Sequence, residues 1–75
     1  MNKARRKDLT RVIALIEEAR GILETVKDEE QEALDNMPEG LQQSERGETM
    51  EQYICTMEEM LDALDTNELE DIVAG

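Results

Sequence analysis

The chain has no histidine, phenylalanine or tryptophan, and only one cysteine, one proline and one tyrosine among its 75 residues. One cysteine cannot form an internal disulfide, and without histidine the usual mixed ligand sets of structural zinc sites are missing. A single hydrophobic core in a domain of this size rarely contributes more than about 3 to 5 kcal/mol. We therefore expect one small domain that holds no cofactor and gains stability by self-association.

Long apolar segments are missing as well. No segment approaches the ~20 apolar residues of a membrane-spanning helix. The basic N-terminus leads into an amphipathic segment, which argues against a signal peptide. These features predict a cytoplasmic protein without a membrane partner, in which Cys55 is an exposed free thiol.

Charge is divided unevenly along the chain. Residues 1–11 hold five of the eight basic residues and one acid, a net charge of +4, whereas residues 28–75 hold sixteen acids and one base, a net charge of −15. The whole chain carries −12. Because binding to nucleic acid or anionic lipid depends mainly on basic residues meeting phosphate, we expect neither as a direct partner. A basic protein is the expected partner.

The first half of the chain predicts one long helix, from about residue 3 to residue 36. Its apolar residues alternate at spacings of three and four, as in a heptad pattern. The series is Leu9, Val12, Ile16, Ala19, Leu23, Val26, Ala33 and Met37. Further apolar residues beside it widen the stripe, which favours packing against two or more helices. Three pairs at i, i+3 predict ion pairs on this helix: Asp8 with Arg11, Glu17 with Arg20, and Glu24 with Lys27.

Pro38 and Gly40 predict the end of this helix and a linker over residues 37–48. Thr49 and Gln52 have the spacing of a capping box, which predicts a second helix over about 49–64. This helix either continues or gives way to a short helix reaching residue 73, which Asp65 and Glu68 are candidates to cap.

These elements predict an all-α antiparallel helical hairpin, assembled as a homodimer into a four-helix bundle. Antiparallel packing places the basic N-terminus beside residues 65–73, where opposite charges meet. The predicted core and self-association seam consists of Leu9, Val12, Ile16, Leu23, Val26, Met50, Ile54, Met57, Leu61 and Leu64. Met60 falls on the same stripe of the second helix, and we expect the methionines to fill the core rather than to line an adaptable binding surface.

Two acidic patterns have the spacing of metal sites. Asp28, Glu30, Glu32, Asn36 and Glu39 fall at ligand positions of a calcium-binding EF-hand loop, but Ala33 stands where that loop requires glycine. Glu29-x-x-Glu32 and Glu59-x-x-Asp62 resemble the ExxE and ExxD pairs of MazG-like nucleotide pyrophosphohydrolases. That resemblance implies Mg²⁺ held on a triphosphate by four carboxylates from two helices. Acids are so abundant here that we expect a solvated surface and no metal.

Acids outside the apolar stripe of the second helix form a candidate partner-binding face. Its members are Glu48, Glu51, Glu58, Glu59, Asp62 and Asp65. Helical neighbours three or four residues apart stand ~5 to 6 Å from one another, roughly the scale on which phosphates repeat along a nucleic-acid strand. The face is therefore either a nucleic-acid mimic that enters a basic channel or a solvated surface that keeps the chain soluble.

The segment Asp35-Asn36-Met37-Pro38-Glu39-Gly40-Leu41-Gln42-Gln43-Ser44-Glu45-Arg46-Gly47-Glu48 and the opening Met1-Asn2-Lys3-Ala4-Arg5-Arg6-Lys7 resemble small acidic helical proteins of phages and prophages of Gram-positive bacteria. The resemblance implies a protein that acts on a partner inside a bacterial host cell, in several such cases by imitating nucleic acid. It implies no particular functional residue.

We therefore expect a non-enzymatic inhibitor of a host nucleic-acid-binding defence protein, such as a CRISPR effector. The alternatives are a structural or regulatory coiled-coil adaptor and, more distantly, a Mg²⁺-dependent nucleotide pyrophosphohydrolase.

Overall fold

A computed structural model describes all 75 residues as four helices without a strand. The helices are α1 (Lys3–Asp35), α2 (Glu39–Gln42), α3 (Glu45–Ala63) and α4 (Asn67–Ala74). Helix α3 turns back along α1, and α4 also contacts α1. The predicted all-α helical hairpin is therefore confirmed, and it forms a rod with extents of 58 × 14 × 13 Å. None of the four helices combines the length and the apolar character that crossing a membrane requires.

Both ends of α1 have local causes. At the start, the side-chain oxygen of Asn2 accepts a hydrogen bond from the backbone N–H of Arg5 at 2.9 Å, which satisfies one of the free donors of the first turn. At the other end, the backbone N–H of Asn36 still donates to the carbonyl of Glu32 at 3.0 Å. The helix stops there because Pro38 disfavours the helical conformation at Met37.

The segment predicted as a linker, residues 37–48, is largely helical. It contains α2 and the first turn of α3, which begins at Glu45, four residues before Thr49. Ser44 is the N-cap, and its hydroxyl oxygen accepts from the backbone N–H of Gly47 at 3.5 Å. Thr49 lies inside the helix and donates its hydroxyl to the carbonyl of Glu45 at 2.9 Å. Ser44 therefore takes the capping role that the sequence predicted for Thr49.

A close corner between α2 and α3 requires glycine at position 47. Gly47 is buried, and a Cβ atom there would lie 2.6 Å from the carbonyl carbon of Gln42 and 2.8 Å from its Cα atom. Gln42 also joins this corner to the end of α1, because its side-chain amide donates to the carbonyls of Leu34 at 3.1 Å and Met37 at 3.0 Å. The start of α3, from Ser44 to Gly47, is therefore held in place by contacts with α2 and, through Gln42, with the end of α1.

The interior of the rod is thin. Its buried apolar side chains are Leu34, Ile54 and Leu61. Partly buried apolar residues extend this interior along the helices: Leu9, Ile13, Ile16, Leu23, Met50, Met57, Leu64, Leu69 and Val73. Eight of the ten predicted seam residues thus face the interior. Val12 and Val26 do not, since they are 40% and 47% exposed.

The predicted ion pairs are wrong in detail. The one salt bridge within 4.0 Å joins Lys27 to Asp28 at 3.3 Å, and none of the three i, i+3 pairs is formed. The contact of α4 with α1 brings the acidic end of the chain to α1, yet no ion pair within 4.0 Å joins the two helices. Exposed side chains of this kind gain little from a fixed pairing geometry, because water screens their charges.

Candidate protein-binding surfaces

The hairpin has two broad faces with different chemistry. Helices α1 and α3 run in opposite directions. In both helices, the residue that directly precedes an inward-facing residue therefore lies on one shared face of the hairpin. A residue one position after an inward-facing residue lies on the opposite face. The first face is apolar and the second is charged.

The charged face contains a groove between α1 and α3 that is lined by Glu58 and Asp62 together with Arg20, Glu24 and Lys27. Both acids are exposed, and each comes directly after an inward-facing residue of α3. Glu51 is seven residues before Glu58 and therefore two turns away on the same side. We name Glu51, Glu58 and Asp62 the acidic row.

Two basic residues lie among the acids of the charged face. Arg20 and Lys27 line the same groove as Glu58 and Asp62. Sequence reasoning about α3 alone did not include them, because their positions depend on how α1 packs. Their spacing of seven residues on one helix was the available signal, since it places both on a single side of α1.

The other predicted members of the acidic face lie apart from the acidic row. Glu59 lines a groove on the opposite face together with Leu23 and Met60. Asp65 accepts a hydrogen bond at 2.9 Å from the backbone N–H of Asn67, the first residue of α4, and precedes the N-cap residue Thr66. Glu48 lies exposed in the first turn of α3, where an acid complements the helix dipole.

Negative charge is dense over the closed end of the hairpin. Residues 20–63 hold thirteen acids and three bases, which leaves a net charge of −10. The 19 residues of α3 set the length of this region at about 28 Å. Summed over all sides of the hairpin, this is one net charge per about 3 Å of length, close to the 3.4 Å per phosphate along one strand of a duplex.

The apolar face consists of Val12, Leu15, Ile22, Val26, Tyr53 and Met60. All six side chains are exposed, Ile22 most of all at 61%. Met60, expected in the core, is at the surface, whereas Met50 and Met57 are half-buried. Two open grooves between α1 and α3 lie on this face. One is mostly apolar and includes Leu23 and Met60 in its lining. The other combines Ala33, Met50 and Tyr53 with the polar side chains of Glu30, Glu45, Arg46 and Thr49.

The acids with metal-like spacing are not assembled into a site. Asp28, Glu30 and Glu32 lie within continuous helix rather than in a loop. Glu59 and Asp62 line grooves on opposite faces of the hairpin. No three acidic or thiol side chains stand close enough together to hold a metal ion.

Comparison of the chain with protein-family models, with curated proteins and with solved structures gave no match. The functional assignment therefore depends on the chemistry of these two faces. Cys55 is an exposed free thiol and directly follows the buried Ile54, so it lies on the charged face between Glu51 and Glu58.

Proposed function

We propose that this chain is a non-enzymatic, phage-encoded protein that inhibits a host nucleic-acid-binding defence protein by occupying its basic nucleic-acid site. A CRISPR effector or another defence nuclease is the intended class of target. The observation that carries the proposal is the net charge of −10 over about 28 Å at the closed end of the hairpin. A rigid rod whose average charge per unit length matches that of a nucleic-acid strand can compete with that strand for the same basic residues.

The field of this surface favours capture of a basic partner. A cleft lined by basic residues attracts a body of charge −12, and the association rate falls as salt screens the attraction. The acidic row supplies directed contacts within that field, because Glu51, Glu58 and Asp62 are exposed along one side of α3. Arg20 and Lys27 line the same groove as Glu58 and Asp62 but form no ion pair with them, so both carboxylates remain free to meet basic residues of the partner.

The test is capture of the tagged chain's partner from bacterial lysate at low and high salt, followed by measurement of the purified pair. Glu58→Lys with Asp62→Lys should weaken binding at least about tenfold, since each reversal turns an attraction into a repulsion. Glu18→Lys with Glu32→Lys is the matched control. Both control residues are exposed on α1, and the control changes the net charge by the same amount.

The control separates a directed surface from a general effect of charge. Equal losses from the two double variants would mean that net charge alone attracts the partner. Binding that ignores both salt and the Glu58→Lys, Asp62→Lys reversal would contradict the mimicry proposal. Thermal melting of each variant verifies that the hairpin is still folded.

The apolar face favours a second candidate, a structural or regulatory coiled-coil adaptor. Exposed apolar residues aligned along a helix are typical of surfaces that pack against another protein. An adaptor of this type should hold its partner at high salt and lose it on Ile22→Glu. The inhibitor should instead release its partner at high salt and keep it on Ile22→Glu.

A further inference from the structure

We infer that the apolar face binds a second copy of this chain, so that two hairpins pack with their α1 helices antiparallel and cross near Ala19. The inference is independent of the acidic row, which lies on the opposite face of the hairpin. The exposed area of the rod, the order of side chains along α1 and the distribution of charge each support a second copy as the occupant.

The exposed area exceeds that of a compact monomer. The accessible surface is 5821 Å² for a mass of 8.6 kDa, whereas a folded monomer of this mass exposes about 4,700 Å². The excess of about 1,100 Å² is slightly more than the ~800 Å² that each partner buries in a stable interface of standard size. A second copy on the apolar face would cover an area of this order.

The apolar residues of α1 are complementary to their own reverse. In chain order they are Val12, Leu15, Ala19, Ile22 and Val26, with the smallest side chain at the centre. An antiparallel copy centred on Ala19 places Val12 level with the second copy's Val26, and Leu15 within one residue of its Ile22. A two-fold interface requires this self-complementarity, and the small central residue allows the two helices to approach closely.

The charges of α1 favour the antiparallel arrangement over the parallel one. Parallel copies would place two segments of +4, residues 1–11, side by side, and would do the same with the acidic ends. Antiparallel copies centred on Ala19 place residues 3–11 beside residues 27–35 of the second copy. Arg11 is then level with the second copy's Lys27, which is half-buried and paired with its own Asp28. The exposed acid nearest to Arg11 along the edge of the apolar stripe that faces away from α3 is the second copy's Glu29, two residues or about 3 Å further along the helix.

The same arrangement gives the apolar residues of α3 and α4 a common partner surface. Tyr53 and Met60 come directly before Ile54 and Leu61, which are buried. Ile72 is exposed and comes directly before Val73, which is half-buried, so it occupies the corresponding position on α4. With the two-fold axis at Ala19, α3 of one copy lies against α4 of the other.

The first test is the mass of the full chain in solution, measured by sedimentation equilibrium over a dilution series. We expect a dimer that dissociates on dilution and a monomer for Ile22→Glu. Leu41→Glu is the matched control, because Leu41 is 51% exposed but lies on α2, away from the apolar face. A wild-type chain that is monomeric throughout, or equal effects of the two variants, would overturn the inference.

The second test is disulfide formation between copies, with Cys55→Ser as the background. Val12→Cys and Val26→Cys chains should each fail to link to themselves, and an equal mixture of the two should link rapidly, because a disulfide requires Cα atoms within about 7 Å. Rapid linkage of Val12→Cys to itself would show parallel helices and overturn the arrangement.

Charge exchange provides a readout that does not depend on cysteine. Arg11→Glu and Glu29→Arg should each weaken the dimer, and the double exchange in one chain should restore it. Failure of the double exchange to restore the dimer would contradict the proposed antiparallel register. If the chain is a monomer and Ile22→Glu abolishes its binding to a captured host protein, the apolar face binds that protein instead of a second copy. This outcome is distinct from any effect of Glu58→Lys with Asp62→Lys.

Discussion

Gly47→Ala tests whether the corner between α2 and α3 is as close as the structure shows. The added Cβ atom would lie 2.6 and 2.8 Å from two backbone atoms of Gln42, about 1 Å closer than carbon atoms at van der Waals contact. Backbone cannot rotate away as a side chain can, so α2 or α3 must shift. Overpacking of this kind costs about 1 to 3 kcal/mol.

The helical preference of alanine opposes that cost by up to about 1 kcal/mol. We therefore expect a net loss of about 1 to 2 kcal/mol, which lowers the melting temperature of a domain of this size by about 4 to 16 °C. Gly21→Ala is the matched control, because a Cβ atom there meets nothing within 4 Å. It should stabilise the chain by up to about 1 kcal/mol.

The assay is thermal and urea unfolding followed by circular dichroism, at one fixed protein concentration because association raises apparent stability. Gly47→Ala and Gly21→Ala should change the free energy of unfolding in opposite directions. If Gly47→Ala is neutral or stabilising, the close corner described here is wrong.

Two further predictions concern single side chains. Gln42→Ala removes the amide that donates to the carbonyls of Leu34 and Met37, and it should lower the free energy of unfolding by about 1 to 2 kcal/mol. Urea unfolding measures this loss. The control is Gln43→Ala, at an exposed neighbour, for which we expect a change of less than about 0.5 kcal/mol. Ile54→Ala should cost about 2 to 5 kcal/mol because it empties a buried position, whereas Cys55→Ala should change the free energy of unfolding by less than about 0.5 kcal/mol. Similar values for Ile54→Ala and Cys55→Ala would contradict the packing of α3 against α1.

Sequence reasoning predicted the long first helix and the hairpin because their signals are strong and local. The 3,4 spacing of apolar residues extends over many turns, and Pro38 prevents that helix from continuing. The start of α3 was misplaced because two serine or threonine residues compete for the cap. Thr49 with Gln52 has the stronger capping-box pattern, but only Ser44 precedes the glycine that lets α2 approach. That requirement arises from tertiary contact and leaves no separate pattern in the sequence.

The two faces were harder to predict than the helices. A wide apolar stripe on α1 contains both Leu23, which packs inward, and Ile22, which is exposed, and periodicity alone cannot divide them. The division depends on where α3 lies. The packing of α3 against α1 also separates Glu59 from Glu58 and Asp62. Adjacent positions on a helix point about 100° apart, and α3 borders a different groove on each face of the hairpin.

The most direct test of the proposed function is competition between this chain and nucleic acid for the captured partner. Labelled nucleic acid bound to the partner should be displaced by the wild-type chain, and displacement should weaken steeply as salt rises from about 50 to 200 mM. Glu58→Lys with Asp62→Lys should abolish displacement at concentrations where Glu18→Lys with Glu32→Lys still displaces. A partner that holds nucleic acid and this chain at the same time would contradict the proposal that the acidic face takes the place of a nucleic-acid strand.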